Sequence, residues 1–196
     1  MKKPLYIAVE GIDGAGKTTQ AKLLAARLRR RGFSAVLVHE PSDSDVGRVI
    51  RKALKKQLNV SEEAVALLFA ADRLILRRTV IEPALKKSAF IVSDRSVLSS
   101  LAYQPVATGK RKWVYEINKF AAKPDIVVFI DIDPSKALRR LSKSTQRYEK
   151  AVFLTKVRRE YFRVLRRFKF VVVNGDKPVH QVEAEILEKL SRFISK

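Results

Sequence analysis

The densest chemistry in the chain lies in eight consecutive residues, Gly11-Ile12-Asp13-Gly14-Ala15-Gly16-Lys17-Thr18. Their spacing, G-x-x-x-x-G-K-[ST], is that of a loop that cradles phosphate groups. Glycines let successive backbone N–H groups turn inward around phosphate oxygens. A helix that starts at the loop adds the partial positive charge of its N-terminus. Lys17 can reach the outer phosphates of a nucleoside triphosphate, and the Thr18 hydroxyl can sit on a Mg²⁺ ion bound to them. A second carboxylate is available at Asp94, directly after the apolar run Ala89-Phe90-Ile91-Val92-Ser93. An acidic residue at the end of a buried strand, downstream of a phosphate loop, holds such a metal through its water shell.

These groups need a strand before the loop and a helix after it. Leu5-Tyr6-Ile7-Ala8-Val9 is a short apolar run that reads as a buried strand. Thr19 to Leu28 follows the loop with Leu23, Leu24 and Leu28 at helical spacing, and Gly32 can end that helix. Further strands are expected at 34–38, 89–93, 126–130 and 170–173. Between them, 42–45 offers caps for a helix through about Leu58. Ser61 caps the next, in which Ala64, Leu67, Leu68, Ala71, Leu74 and Ile75 make a wide apolar stripe that predicts burial, and Pro83 disrupts it. A helix from Ser96 is expected to break at Gln104-Pro105, and others are expected around 113–120, from Ser135, at 150–167 and from Pro178 to near Phe193. Alternating strands and helices imply a parallel sheet covered on both faces. Sites in such sheets lie at the carboxyl ends of the strands, which places the loop, His39-Glu40, Asp94-Arg95 and Asp131 on one edge.

A chain of 196 residues fits one domain. It has no cysteine, so disulfides, thiolate zinc sites and a cysteine nucleophile are excluded. There is no apolar run of membrane-spanning length, and the stretch after Met1-Lys2-Lys3-Pro4 is too short for a signal peptide. A cytoplasmic protein is expected. The net charge of +21 invites a nucleic-acid reading, but the cations are dispersed along the polar faces of expected helices.

Several stretches in the same order resemble the thymidylate kinase family of P-loop nucleoside monophosphate kinases over nearly the whole length. They are Glu10 to Gln20, Glu40-Pro41 with Gly47 and Ile50-Arg51, and Leu67-Leu68-Phe69-Ala70-Ala71-Asp72-Arg73. Asp94-Arg95 follows with Ser99-Ser100-Leu101-Ala102-Tyr103-Gln104, then Asp131-Ile132-Asp133-Pro134 and Arg147-Tyr148-Glu149. The resemblance implies a three-layer α/β P-loop kinase fold in one domain, 1–196, with a five-stranded parallel sheet, helices on both faces and a short lid at about 142–149. It implies transfer of the γ-phosphate of Mg-ATP to dTMP, giving dTDP and ADP, by a homodimer. ATP would be bound by Gly11, Ile12, Asp13, Gly14, Ala15, Gly16, Lys17, Thr18 and Thr19, with Arg140 against adenine and Mg²⁺ at Thr18 and Asp94. For dTMP, Phe69 would stack on thymine, Arg73 would donate to a base carbonyl, and Ser100 and Gln104 would meet the imide edge. Tyr103 would lie under the sugar, Asp13 would accept from the 3′-hydroxyl, and Arg95 would hold the phosphate, flanked by Arg51 and Glu40. Lys17, Arg95, Arg147 and Asp13 form the expected catalytic set, Arg147 supplying lid charge where the loop has Ala15 instead of arginine. The sequence departs from the family pattern at His39, Ser96 and Gln146. Rival readings are a kinase for another nucleotide or a nucleoside, and a nucleic-acid-binding NTPase.

Overall fold

A computed structural model describes residues 4–141 and 151–194. The expected lid, and Arg147 with it, lies outside the described residues. Strands β1 (Tyr6–Glu10), β2 (Ala35–His39), β3 (Phe90–Asp94), β4 (Ile126–Asp131) and β5 (Phe170–Asn174) form one parallel sheet in the order β2-β3-β1-β4-β5. The P-loop kinase α/β architecture is as expected. The central strands read as unbroken apolar runs because both faces are covered.

Helices α1 (Lys17–Arg30) and α9 (Val179–Ile194) pack on each other over one face. The connections through α2 (Asp45–Leu54), α3 (Glu62–Leu76), α4 (Glu82–Lys86), α5 (Val97–Thr108), α6 (Arg111–Ile117), α7 (Pro134–Arg140) and α8 (Ala151–Leu165) cover the other. This split follows from right-handed crossovers in that strand order. The main core joins Leu24 and Leu28 of α1 to the sheet and to Leu101, Tyr161 and Leu165 of α5 and α8. A smaller core lies under α3 and α4, around Tyr6, Val38, Leu76, Ile81 and Ile91.

Two local expectations are corrected, and one is refined. The stripe on α3 is not buried: Leu67, Leu74 and Ile75 are exposed, and the inward face carries Val65, Ala66, Ala70, Asp72, Arg73 and Leu76. Charge sits inside because partners for it are inside, as shown below. Pro83 disrupts the α3 segment as expected but does not end the helical run, which widens into a π-helical turn at Arg77–Ile81 and resumes with Pro83 in the first turn of α4. Nor does Pro105 break α5, which runs on to Thr108. Proline's fixed φ is compatible with a helix, and packing against α3, α6 and α8 outweighs one lost hydrogen bond.

Two glycines permit backbone contacts that shape the carboxyl edge. A Cβ on Gly14, at φ +82°, would lie 2.2 Å from the Ala137 carbonyl oxygen, so α7 can rest directly on the loop. A Cβ on Gly47 would lie 2.0 Å from the Ser42 carbonyl oxygen. Gly47→Ala should therefore displace α2 from the 41–44 turn and destabilise the protein by about 1–3 kcal/mol, the usual cost of overpacking. Denaturant unfolding of the variant beside the parent measures this; equal stability would mean the turn yields freely.

Candidate functional site

The loop runs from the end of β1 into the N-terminus of α1, the position its chemistry requires. The side chains of Ile12 and Ala15 are buried, leaving their backbone to line the loop, while Gly16, Thr18 and Thr19 are exposed. Lys17 is folded inward: its Nζ donates to the Ile12 carbonyl at 2.7 Å and lies 4.0 Å from Asp13. Burial, then the neighbouring Arg95 charge, pulls its pKa down to about 8 against the pull of Asp13, Asp94 and Glu10. Thr18 Oγ1 donates to Asp94 Oδ2 at 2.5 Å, and the other Asp94 oxygen is buried with no hydrogen-bond partner among the described residues. A hydroxyl and a spare carboxylate oxygen side by side suit a hydrated divalent cation bound to phosphates.

Beside the loop is a pocket lined by Asp13, Glu40, Pro41, Leu54, Val65, Phe69, Arg95, Ser99, Ser100, Tyr103 and Gln104. Arg95 Nη2 donates to Asp13, and its guanidinium lies 5.5 Å from the centre of the Tyr103 ring. Burial alone would raise the Asp13 pKa, but the Arg95 and Lys17 charges outweigh it and hold the carboxyl below its usual value. The Tyr103 hydroxyl accepts from the Asp13 N–H at 3.0 Å, which fixes its ring as a wall. Gln104 Oε1 is buried and unpartnered among the described residues.

Behind this pocket α3 grips the turn after β2. Arg73 is buried; its Nε and Nη2 hold Glu40, Nη2 also donates to Ser100 Oγ at 2.9 Å, and Nη1 donates to Asn118 Oδ1. The adjacent Asp72 accepts from Ser42 N–H at 2.7 Å and from the Ser42 and Ser44 hydroxyls at 2.5 Å each. Ser44 Oγ in turn caps α2 through Gly47 N–H at 2.9 Å. Neighbouring residues of opposite charge thus lock the peptide that presents Glu40 and Pro41, with the Glu40–Pro41 bond cis.

The sequence profile of the family described as Thymidylate kinase matches residues 9–186. A protein of Methanosphaera stadtmanae named "Probable thymidylate kinase" is 38% identical over 97% of this chain and 99% of its own length. Those of Methanocaldococcus jannaschii (40%, covering 96% and 97%) and Pyrococcus abyssi (38%, covering 93% of each) carry the same name. The chain belongs to the thymidylate kinase family.

Of the residues expected to form a thymidylate kinase site, seven meet in the pocket: Asp13, Glu40, Phe69, Arg95, Ser100, Tyr103 and Gln104. Thr18 and Asp94 meet below the loop. Arg73 is not in the pocket wall but behind it, holding Glu40 and Ser100. Arg51 stands at the rim, donating to the carbonyls of Pro41 and Ser42 at 3.0 and 2.7 Å. Arg140 is exposed and donates to the Gly175 carbonyl at 2.8 Å, on the turn after β5. Sequence reasoning missed Leu54, Val65, Ser99, Asp72 and Asn118. The signal for Asp72 was available: an Asp-Arg pair in an otherwise apolar helix segment. Asn118 had none, since it meets Arg73 only through the tertiary fold.

Phosphate arriving beside Lys17 favours its charged form. The folded pKa lies below that of a free lysine, so between about 8 and ~10.4 the unfolded chain binds more protons, and the ATP-free protein gains stability as pH rises through that window. At about pH 8.5, ATP binding should take up a fraction of a proton, seen as a binding enthalpy that changes with the buffer's ionisation enthalpy. Lys17→Met should abolish the uptake. Parent protein without uptake would mean Lys17 is fully charged before ATP binds.

Proposed function

We infer that the protein transfers the γ-phosphate of ATP to dTMP, giving dTDP and ADP, the reaction of the family to which it belongs. The observation that carries the acceptor assignment is the unpartnered Gln104 Oε1, buried in the same pocket wall as Phe69. A thymine imide N–H satisfies that oxygen while the ring lies on Phe69. The apolar side chains of Leu54 and Val65 are available to the C5-methyl group, and Tyr103 occupies the space a ribose 2′-hydroxyl needs. Arg95 meets the acceptor phosphate with its guanidinium fork, Asp13 accepts from the 3′-hydroxyl, and Arg51 and Glu40 flank the phosphate.

Lys17 and the loop N–H groups hold the β- and γ-phosphates. Thr18 and Asp94 would hold a Mg²⁺ ion, which would supply positive charge to the phosphoryl oxygens. The orphaned Asp94 oxygen supports this placement. The moving phosphoryl group passes through a loose, charge-rich transition state, so these side chains contribute position and positive charge and form no covalent bond. Arg147, outside the described residues, is the further charge expected from the resemblance, and Arg140 lies along the adenine. The chain acts as one cytoplasmic domain, and two copies associate through Leu67, Leu74 and Ile75 of α3, an apolar stripe left exposed among the described residues.

A coupled ADP-release assay across nucleoside monophosphates tests the reading. dTMP should be preferred over dUMP by about tenfold or more in kcat/KM, the usual worth of one methyl group in an apolar pocket. Phe69→Ala and Gln104→Leu should raise KM for dTMP with kcat much less affected, stacking alone being worth about 1–3 kcal/mol. An unchanged KM in both variants would move the base elsewhere. Leu67→Glu with Ile75→Glu should give a monomer in sedimentation; an intact dimer would place the interface on another face.

A further inference from the structure

Glu10 ends β1, one residue before the loop, and is fully buried. Its carboxylate is the meeting point of three hydroxyls. Ser96 Oγ donates to one oxygen at 2.8 Å; Ser99 Oγ at 2.8 Å and the Tyr161 hydroxyl at 2.9 Å donate to the other. Burial pushes the Glu10 carboxyl up, against these hydroxyls and the Arg95 charge. Both serines follow Arg95 closely in sequence. Ser96 caps α5 through Leu98 N–H at 3.3 Å, and Ser99 Oγ accepts from Arg95 Nη1 at 3.3 Å. Ser99 Oγ and the Tyr161 hydroxyl also lie 2.9 Å apart, so one of the two shares its hydrogen between Glu10 and the other hydroxyl, while Ser99 offers a lone pair to Arg95.

Arg95 is also conformationally unusual. Its φ is +73°, in the left-handed region that side-chain-bearing residues enter only when their surroundings over-determine them. Its own N–H donates to Val9 carbonyl at 3.1 Å, next to Glu10 in β1. Tyr161, the third donor, belongs to α8, the helix that follows residues 142–150.

We propose that Glu10 is the positioning residue for phosphate recognition: it fixes the first turn of α5 through Ser96 and Ser99, and thereby the aim of Arg95 at the acceptor phosphate. A carboxylate offers acceptors on both sides, to Ser96 on one and to Ser99 and Tyr161 on the other; a carboxamide turns its NH₂ toward one side and reverses the hydrogen bonds there. Glu10 itself touches neither substrate. It holds in one register the loop that binds the donor, the arginine that binds the acceptor, and α8. The proposal rests on Arg95 meeting the acceptor phosphate, as inferred above.

The test compares the dissociation constants of dTMP and thymidine, which differ by the phosphate, for the full chain and for Glu10→Gln, Ser99→Ala and Arg95→Ala. Glu10→Gln and Ser99→Ala should each weaken dTMP by about tenfold, as loss or misalignment of a charge-assisted contact does, with thymidine unchanged. A merely structural role would lower the active fraction or weaken both ligands together. Parallel weakening, or no change in the dTMP-to-thymidine ratio, overturns the proposal. If Glu10→Gln fails to fold, the ratio in Ser99→Ala decides by itself. If Arg95→Ala leaves the ratio unchanged, the phosphate does not sit at Arg95, and that failure is separate from a failure of the role given to Glu10.

Discussion

Titratable side chains gather at the carboxyl edge of the sheet, where almost no water reaches them. Glu10, Asp13, Lys17, Glu40, Asp72 and Arg73 are all buried there. A charge in that setting costs several kcal/mol unless a partner of opposite sign or a full set of hydrogen bonds replaces its hydration. Each of these has such a replacement: Arg73 for Glu40, Arg95 and Lys17 for Asp13, serine hydroxyls for Asp72, and hydroxyls of serine and tyrosine for Glu10. The compensation is tight enough that the backbone is arranged to deliver it. The close approach at Gly47, the turn at 41–44 and the left-handed Arg95 all bring a donor within reach of a carboxylate.

This arrangement also explains why the site is ready before substrate arrives. In phosphoryl transfer the protein's contribution is positioned charge, and charge that must reorganise during the reaction contributes less. Arg95 and Asp13 neutralise each other while the pocket is empty. A phosphate and a sugar hydroxyl can then take over part of each partner's role without leaving either buried and alone. Lys17 shows the opposite strategy. Held by the Ile12 carbonyl, it has its pKa pulled down to about 8 by burial, and a phosphate beside it would favour its charged form.

The loop, the strands and the order of the elements were legible in the sequence because each is local. The glycine spacing requires a strand on one side and a helix on the other, and strands buried on both faces read as apolar runs. Most of the pocket was legible through the resemblance. What was not legible depended on who faces whom. The apolar stripe of α3 looks like a core face, yet the fold turns it outward, because the Asp72-Arg73 side is required by Glu40, Ser42 and Ser44, some thirty residues away in the chain. Pro105 reads as a breaker locally and is overridden by packing on three sides. Arg73 was expected on the base and lies behind the wall, since nothing in a sequence tells a helix face that lines a pocket from one that supports it.

The same distinction between local and tertiary settles what the large positive charge can do at the site. Arg29 and Arg30 close α1, Lys86 closes α4 and Arg163 closes α8, each in the last turn of a helix leading into a strand, where cations offset the helix dipole. These helix ends lie at the amino edge of the sheet, opposite the loop. A strand of five residues separates the two edges by about 17 Å, roughly twice the screening length of ~8 Å at physiological ionic strength. Exposed charges at that distance, in high dielectric, contribute little to the potential at the phosphates. Lys17, which is buried, and Arg95, whose side chain is 23% exposed, stand at the loop itself, and phosphate recognition there is expected to depend on them rather than on these helix-end cations.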